Sequence, residues 1–86
     1  MSDPSFQQIL SMFYKGEYER GKEQITNLII KYPTNSMLHL NRALFLFQLG
    51  MDGEGIHDLQ VCLKLNPRNH IAYFNLFSVQ SRYEYY

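Results

Sequence analysis

The chain has 86 residues, with eight Lys and Arg against eight Asp and Glu, and so carries no net charge at neutral pH. That balance leaves no electrostatic footprint for a nucleic acid or an anionic membrane, and a single cysteine excludes an intramolecular disulfide framework and fits a reducing compartment. The excess lies in aromatics: seven Tyr and six Phe, a large apolar payload for one small domain. The opening Met-Ser-Asp-Pro-Ser-Phe-Gln-Gln holds neither a basic stretch nor an apolar run, so no secretory signal is read there and a cytoplasmic location is expected.

Asp3 followed by Pro4 reads as a helix start, a cap acceptor and then a proline whose missing N–H is not needed in the first turn. The first helix carries Phe6, Ile9, Leu10, Met12 and Phe13 and stops at Gly16. Glu17 opens a second, with Gly21, Ile25, Leu28, Ile29 and Tyr32 along one face, and Pro33 ends it by forcing the preceding residue out of the helical region. Asn35 caps a third helix, which Gly50 terminates. Asp52 starts a fourth, with Gly55, Ile56, Leu59, Cys62 and Leu63 on its face, ending before Pro67. Asn69 caps a fifth, running through Tyr73, Leu76 and Phe77 to a tyrosine-rich end. No segment alternates with period two long enough to make a strand, so the expected class is all-α, five helices with short connections.

The third helix, Leu38 to Leu49, is apolar almost all the way round. At about 100° per residue Leu40, Leu44 and Phe47 fall on one face, His39, Ala43 and Leu46 on a second, and Leu38, Phe45 and Leu49 on a third. A surface helix needs one apolar stripe, so this one must be covered on several sides. It is too short to cross a bilayer, which takes about 20 apolar residues.

The punctuation repeats. Gly16 and Gly50, Gly21 and Gly55, Pro33 and Pro67, Asn35 and Asn69, and Ile25 and Leu59 each stand 34 residues apart, and Leu40-Asn41 returns as Phe74-Asn75 in the same register. A fixed period of 34 with two helices per unit resembles the tetratricopeptide (TPR) repeat family. The likeness is densest from Lys15-Gly16-Glu17-Tyr18 to Tyr32-Pro33-Thr34-Asn35, from Asn41-Arg42-Ala43 through Leu49-Gly50 to Leu65-Asn66-Pro67, and at Ala72-Tyr73-Phe74-Asn75-Leu76. It implies a helix-turn-helix solenoid of five antiparallel helices in one domain: repeats at about 2–35 and 36–69, then a terminal helix at about 70–86. Gly21 and Gly55 stand where the family usually has alanine, permitting close helix approach at about 0.5–1 kcal/mol each. Ile9, Phe77 and Leu28 replace small residues of the helix–helix contact.

Catalytic chemistry is not expected. Cys62 sits among Leu59, Leu63 and Leu65, the setting of a small buried hydrophobe and not of a thiolate nucleophile. His39, His57 and His70 share no metal-ligand spacing, and His39 holds a packing position. The glycine-rich Gly50-Met51-Asp52-Gly53-Glu54-Gly55 lacks the Lys-Ser/Thr of a phosphate loop and reads as a helix–helix turn. Glu17, Glu19, Arg20, Lys22 and Glu23 read as a solvated helix face. No enzyme activity, cofactor or metal is called for.

The resemblance implies that the first helix of each repeat lines a concave surface. The lining positions are Phe6, Leu10 and Phe13, then Met37, Leu40, Asn41, Leu44 and Phe47, then Ile71, Phe74, Asn75, Ser78 and Arg82. One branch of the family clamps the C-terminal carboxylate of heat-shock chaperones with Lys, Asn, Asn, Lys and Arg. Here only Asn41 matches, the other places holding Phe6, Leu10, Ile71 and Asn75, so a carboxylate would find no charge partner and that role is excluded. An open groove of Phe, Leu, Met and Ile exceeds the roughly 300–600 Å² of contiguous apolar patch a soluble monomer tolerates, so either the chain curls tightly over these residues or a hydrophobic or amphipathic helix of another protein fills them.

In size, repeat number and groove character the chain is similar to the compact TPR-type chaperones of bacterial type III secretion, which cradle an aggregation-prone needle-subunit helix together with a second small helical protein. The competing expectation is a structural adaptor in a larger assembly, or a homodimer. Stacked repeats need a polar terminal cap, and the last helix instead offers Phe77, Val79, Tyr83, Tyr85 and Tyr86 as an oligomer surface.

Overall fold

The computed structural model describes residues 3–84, and these form five α-helices without a strand: α1 Phe6–Tyr14, α2 Tyr18–Lys31, α3 Ser36–Gln48, α4 Asp52–Leu65 and α5 His70–Glu84. The helix ends follow local chemistry. Gly16 and Gly50 take φ of 77° and 75°, a left-handed conformation that glycine adopts without a Cβ clash. Each closes a Schellman turn: the Glu17 N–H reaches the Met12 carbonyl at 2.9 Å, and the Met51 N–H reaches that of Leu46 at 2.9 Å. Asn35 accepts from the Met37 N–H at 3.1 Å and Asn69 from the Ala72 N–H at 3.1 Å, so both cap the helix that follows. Tyr32 to Asn35 and Asn66 to Asn69 make equivalent turns with proline second, closed by N–H to carbonyl bonds of 3.1 and 3.2 Å.

The first helix begins two residues later than Asp3-Pro4 suggests. Ser5 is the cap, accepting from the Gln8 N–H at 3.2 Å while the Gln8 side chain accepts from the Ser5 N–H at 2.7 Å. Asp3 is drawn off by α2: its carboxylate accepts from Lys31 Nζ at 2.9 Å and from the Tyr32 hydroxyl at 3.2 Å. The Lys31 bond holds the Asp3 carboxyl below its ordinary pKa.

Each helix packs on its neighbours in the chain, and α3 lies between α2 and α4. Two cores result, and α3 feeds both. Phe45 joins Ile9, Ile25 and Leu28 in the first; Leu40 and Ala43 join Leu59, Cys62 and Ala72 in the second. The Phe45 ring meets Phe13 and Tyr18 edge-on, at centroid distances of 5.4 and 6.3 Å, and presses on the bare α-carbon of Gly21.

Two placements correct the sequence reading. Phe47 does not face the concave side: it packs beside the second core, its ring against Gly55 of α4. It lies nearer Ala43 than Leu44 around the helix, and Gly55 leaves room for the ring. Val79, expected on an oligomer surface, is buried, because it shares the inward stripe of α5 with Ala72 and Leu76.

Candidate functional site

An apolar cavity of about 310 Å³ opens between α1 and α3, with the first turn of α5 at one end. Eight of the residues expected to line a concave surface surround it: Phe6, Leu10 and Phe13 from α1, Met37, Leu40, Asn41 and Leu44 from α3, and Ile71 from α5. Helical spacing explains the set. Phe6, Leu10 and Phe13 step along one face of α1, and Met37, Asn41 and Leu44 along the facing side of α3. Leu40, Ile9 and Phe45 form the buried floor, while Phe6, Leu10, Met37 and Ile71 form an exposed rim on which Phe6 is 62% accessible. Among the described residues, the chain therefore does not curl over these side chains.

None of the lining side chains is charged, and Asn41 brings one amide into an aromatic and aliphatic wall. Tyr14 also lines the cavity, a residue the sequence reading missed although it stands four after Leu10 on the same helix. Phe74, Asn75, Ser78 and Arg82 lie outside it. Phe74 is exposed, Asn75 turns its amide to the Ile71 carbonyl of its own helix at 2.8 Å, and Arg82 stands in the last turn of α5. Of the aromatic surface expected on α5, Phe77 and Tyr83 are exposed. Tyr85 and Tyr86 fall outside the described residues.

A second hollow of about 440 Å³ is lined by Lys22, Thr26, Arg42, Glu54, His57 and Asp58 among others. Three of its charged side chains are paired. Arg42 donates twice to the buried Asp58, and Lys22 pairs with Glu19 at 3.2 Å. His39 lies beneath: Nε2 carries its hydrogen, since it stands 3.1 Å from the Pro33 carbonyl, and Nδ1 faces Asp58 Oδ1 at 3.6 Å, beyond a hydrogen bond. The Arg42–Asp58 pair ties α3 to α4, and the Lys22–Glu19 pair lies within α2.

Cys62 has no accessible surface, burial pushes its thiol up, and the Asn69 amide donates to its sulfur at 3.5 Å. Among the described residues no cluster of His, Cys, Asp or Glu could hold a metal ion, and no helix is long and apolar enough to cross a membrane. Neither family models, curated proteins nor solved structures gave a match to this chain.

Proposed function

We propose that this protein is a small interaction module of the tetratricopeptide type, whose α1–α3 groove holds the apolar face of an amphipathic helix from a partner protein. The observation that carries the reading is the uncharged groove with its exposed rim of Phe6, Leu10, Met37 and Ile71. Fully burying a side chain of this kind stabilises by about 1.5–3 kcal/mol, so filling the groove is strongly favoured. An extended acidic peptide gains nothing from walls without a cation. A helix presenting apolar anchors at positions i, i+4 and i+7 matches two facing helical walls, with the Asn41 amide left to orient it. Such a module suits the shielding of an aggregation-prone helix, the task of the secretion chaperones it resembles.

The test is a titration of a fluorophore-labelled amphipathic peptide with leucines at that spacing, followed by anisotropy. Saturable binding is expected, with Leu10→Glu and Leu44→Glu each weakening it at least about tenfold, or 1.4 kcal/mol, while the helical circular dichroism persists. Lys22→Glu, across the molecule, should change nothing. Binding that survives both groove variants would move the site elsewhere.

A further inference from the structure

Helices α1, α3 and α5 occupy equivalent places 34 residues apart, and one position compares them directly. Ile9 is 6% exposed where it packs with Ile25 and Leu28 of α2, and Ala43 is 0% exposed where it packs with Leu59 and Cys62 of α4. Phe77, the third equivalent, is 72% exposed. Its neighbours repeat the contrast: Tyr73 and Phe74 are exposed, whereas their counterparts His39 and Leu40 are buried. The face that a following helix covers on α1 and α3 is an open aromatic face on α5.

The side chains on that face decide what can cover it. On α3 the covering helix comes close because Ala43 is small and because Phe47 seats its ring on Gly55. On α5 the counterparts are Phe77 and Ser81, so the small residue has become bulky and the ring is gone. A helix seated as closely as α4 sits on Ala43 does not fit. A second aromatic face does, with rings meeting edge-on as Phe13 and Tyr18 do at 5.6 Å. Phe77 is also the central residue of the described span of α5, His70–Glu84. Two copies of α5 laid antiparallel therefore bring their Phe77 rings together at the two-fold axis, and set Tyr73 of each copy opposite the small Ser81 of the other.

We infer that two copies of this chain associate through an antiparallel α5–α5 contact centred on Phe77. No charged side chain among Tyr73, Phe74, Phe77 and Ser81 opposes the pairing. Three rings at least half open offer on the order of 400 Å² per copy, against roughly 800 Å² per partner in a standard interface. The dimer is accordingly weak and reversible. It leaves the α1–α3 groove free and stands whether or not a helix binds there.

Sedimentation equilibrium of the full chain from low to high micromolar concentration is the test. The mass should rise from one copy to two, Phe77→Glu should hold it at one with circular dichroism unchanged, and Leu10→Glu should leave the rise intact. Phe77→Cys should give a disulfide-linked dimer on mild oxidation, since the two positions meet on the axis. A chain that stays single throughout, a dimer that persists in Phe77→Glu, or one that Leu10→Glu dissolves instead would each overturn the inference.

Discussion

Arg42 of α3 closes on Asp58 of α4 as a fork, Nε donating to Oδ2 and Nη2 to Oδ1, both at 2.7 Å. The two are not equally buried: the Asp58 side chain is 2% exposed and that of Arg42 24%. The bond to Asp58 raises the Arg42 pKa further above its already high ordinary value, against desolvation, which lowers it. Removing either partner should therefore have unequal consequences. Arg42→Ala strands a carboxylate in the interior and should cost about 3–5 kcal/mol. Asp58→Ala strands a guanidinium that can still reach water and should cost about 1–3 kcal/mol. Urea denaturation of the two variants checks the order, and an equal loss would mean that water reaches Asp58.

The glycines of α2 and α4 divide by what lies over them. A Cβ at Gly21 would collide with the Phe45 ring, and one at Gly55 with the Phe47 ring, whereas one at Gly53 would meet nothing. Gly21→Ala should destabilise by about 1–3 kcal/mol, because Phe45 is locked in the first core and cannot withdraw. Gly55→Ala should cost less, since Phe47 is only partly buried and can turn outward. Gly53→Ala should raise stability by about 0.5–1 kcal/mol through helix propensity alone. Thermal melts of the three variants give the ranking directly.

Cys62 offers a probe of global unfolding. Its sulfur is enclosed by the second core and its pKa is raised by burial, so the thiolate that a disulfide reagent attacks is both scarce and covered. Reaction with such a reagent in native buffer should be slower than in urea by a factor close to the unfolding equilibrium constant. Rapid labelling of the native chain would mean that α4 and α5 part locally at the Asn69–Cys62 contact.

What the sequence made legible were features written in a few adjacent residues. Gly16 and Gly50 need left-handed backbone, Asn35 and Asn69 need only an N–H two or three residues on, and Pro33 and Pro67 exclude the helix before them, so these boundaries could be read without knowing any neighbour. Periodicity then placed Phe6, Leu10, Met37 and Leu44 on faces that meet around one cavity. It failed where a residue's partner is far along the chain. Asp3 looked like a cap until Lys31 and Tyr32, from the end of α2, took its carboxylate. Phe47 and Val79 were assigned by helical angle or terminal position, but their burial depends on Gly55 of α4 and on the packing of α5. The Arg42–Asp58 fork joins residues sixteen apart on two helices and has no local signature at all.

The hold of α5 on α4 should depend on alkaline pH through one tyrosine. The Tyr83 hydroxyl donates to Asp52 Oδ2 at 2.6 Å, tying the last turn of α5 to the first turn of α4. That bond, with smaller contributions from desolvation and the Asp52 charge, raises the Tyr83 pKa, while Arg82 lowers it. A phenol whose folded pKa is raised adds stability that is complete below the unfolded value, about 10 for tyrosine, and is lost as pH climbs through the folded one. Tyr83→Phe should therefore be less stable than the parent chain at neutral pH, with the gap closing only above the ordinary tyrosine range. Other tyrosines ionise in both proteins, so the difference between their urea midpoints at each pH isolates Tyr83. Asp52→Ala should return the late-titrating phenol, followed at 295 nm, to the ordinary range. A gap that does not change with pH would assign the loss in Tyr83→Phe to packing of the ring and not to its hydroxyl.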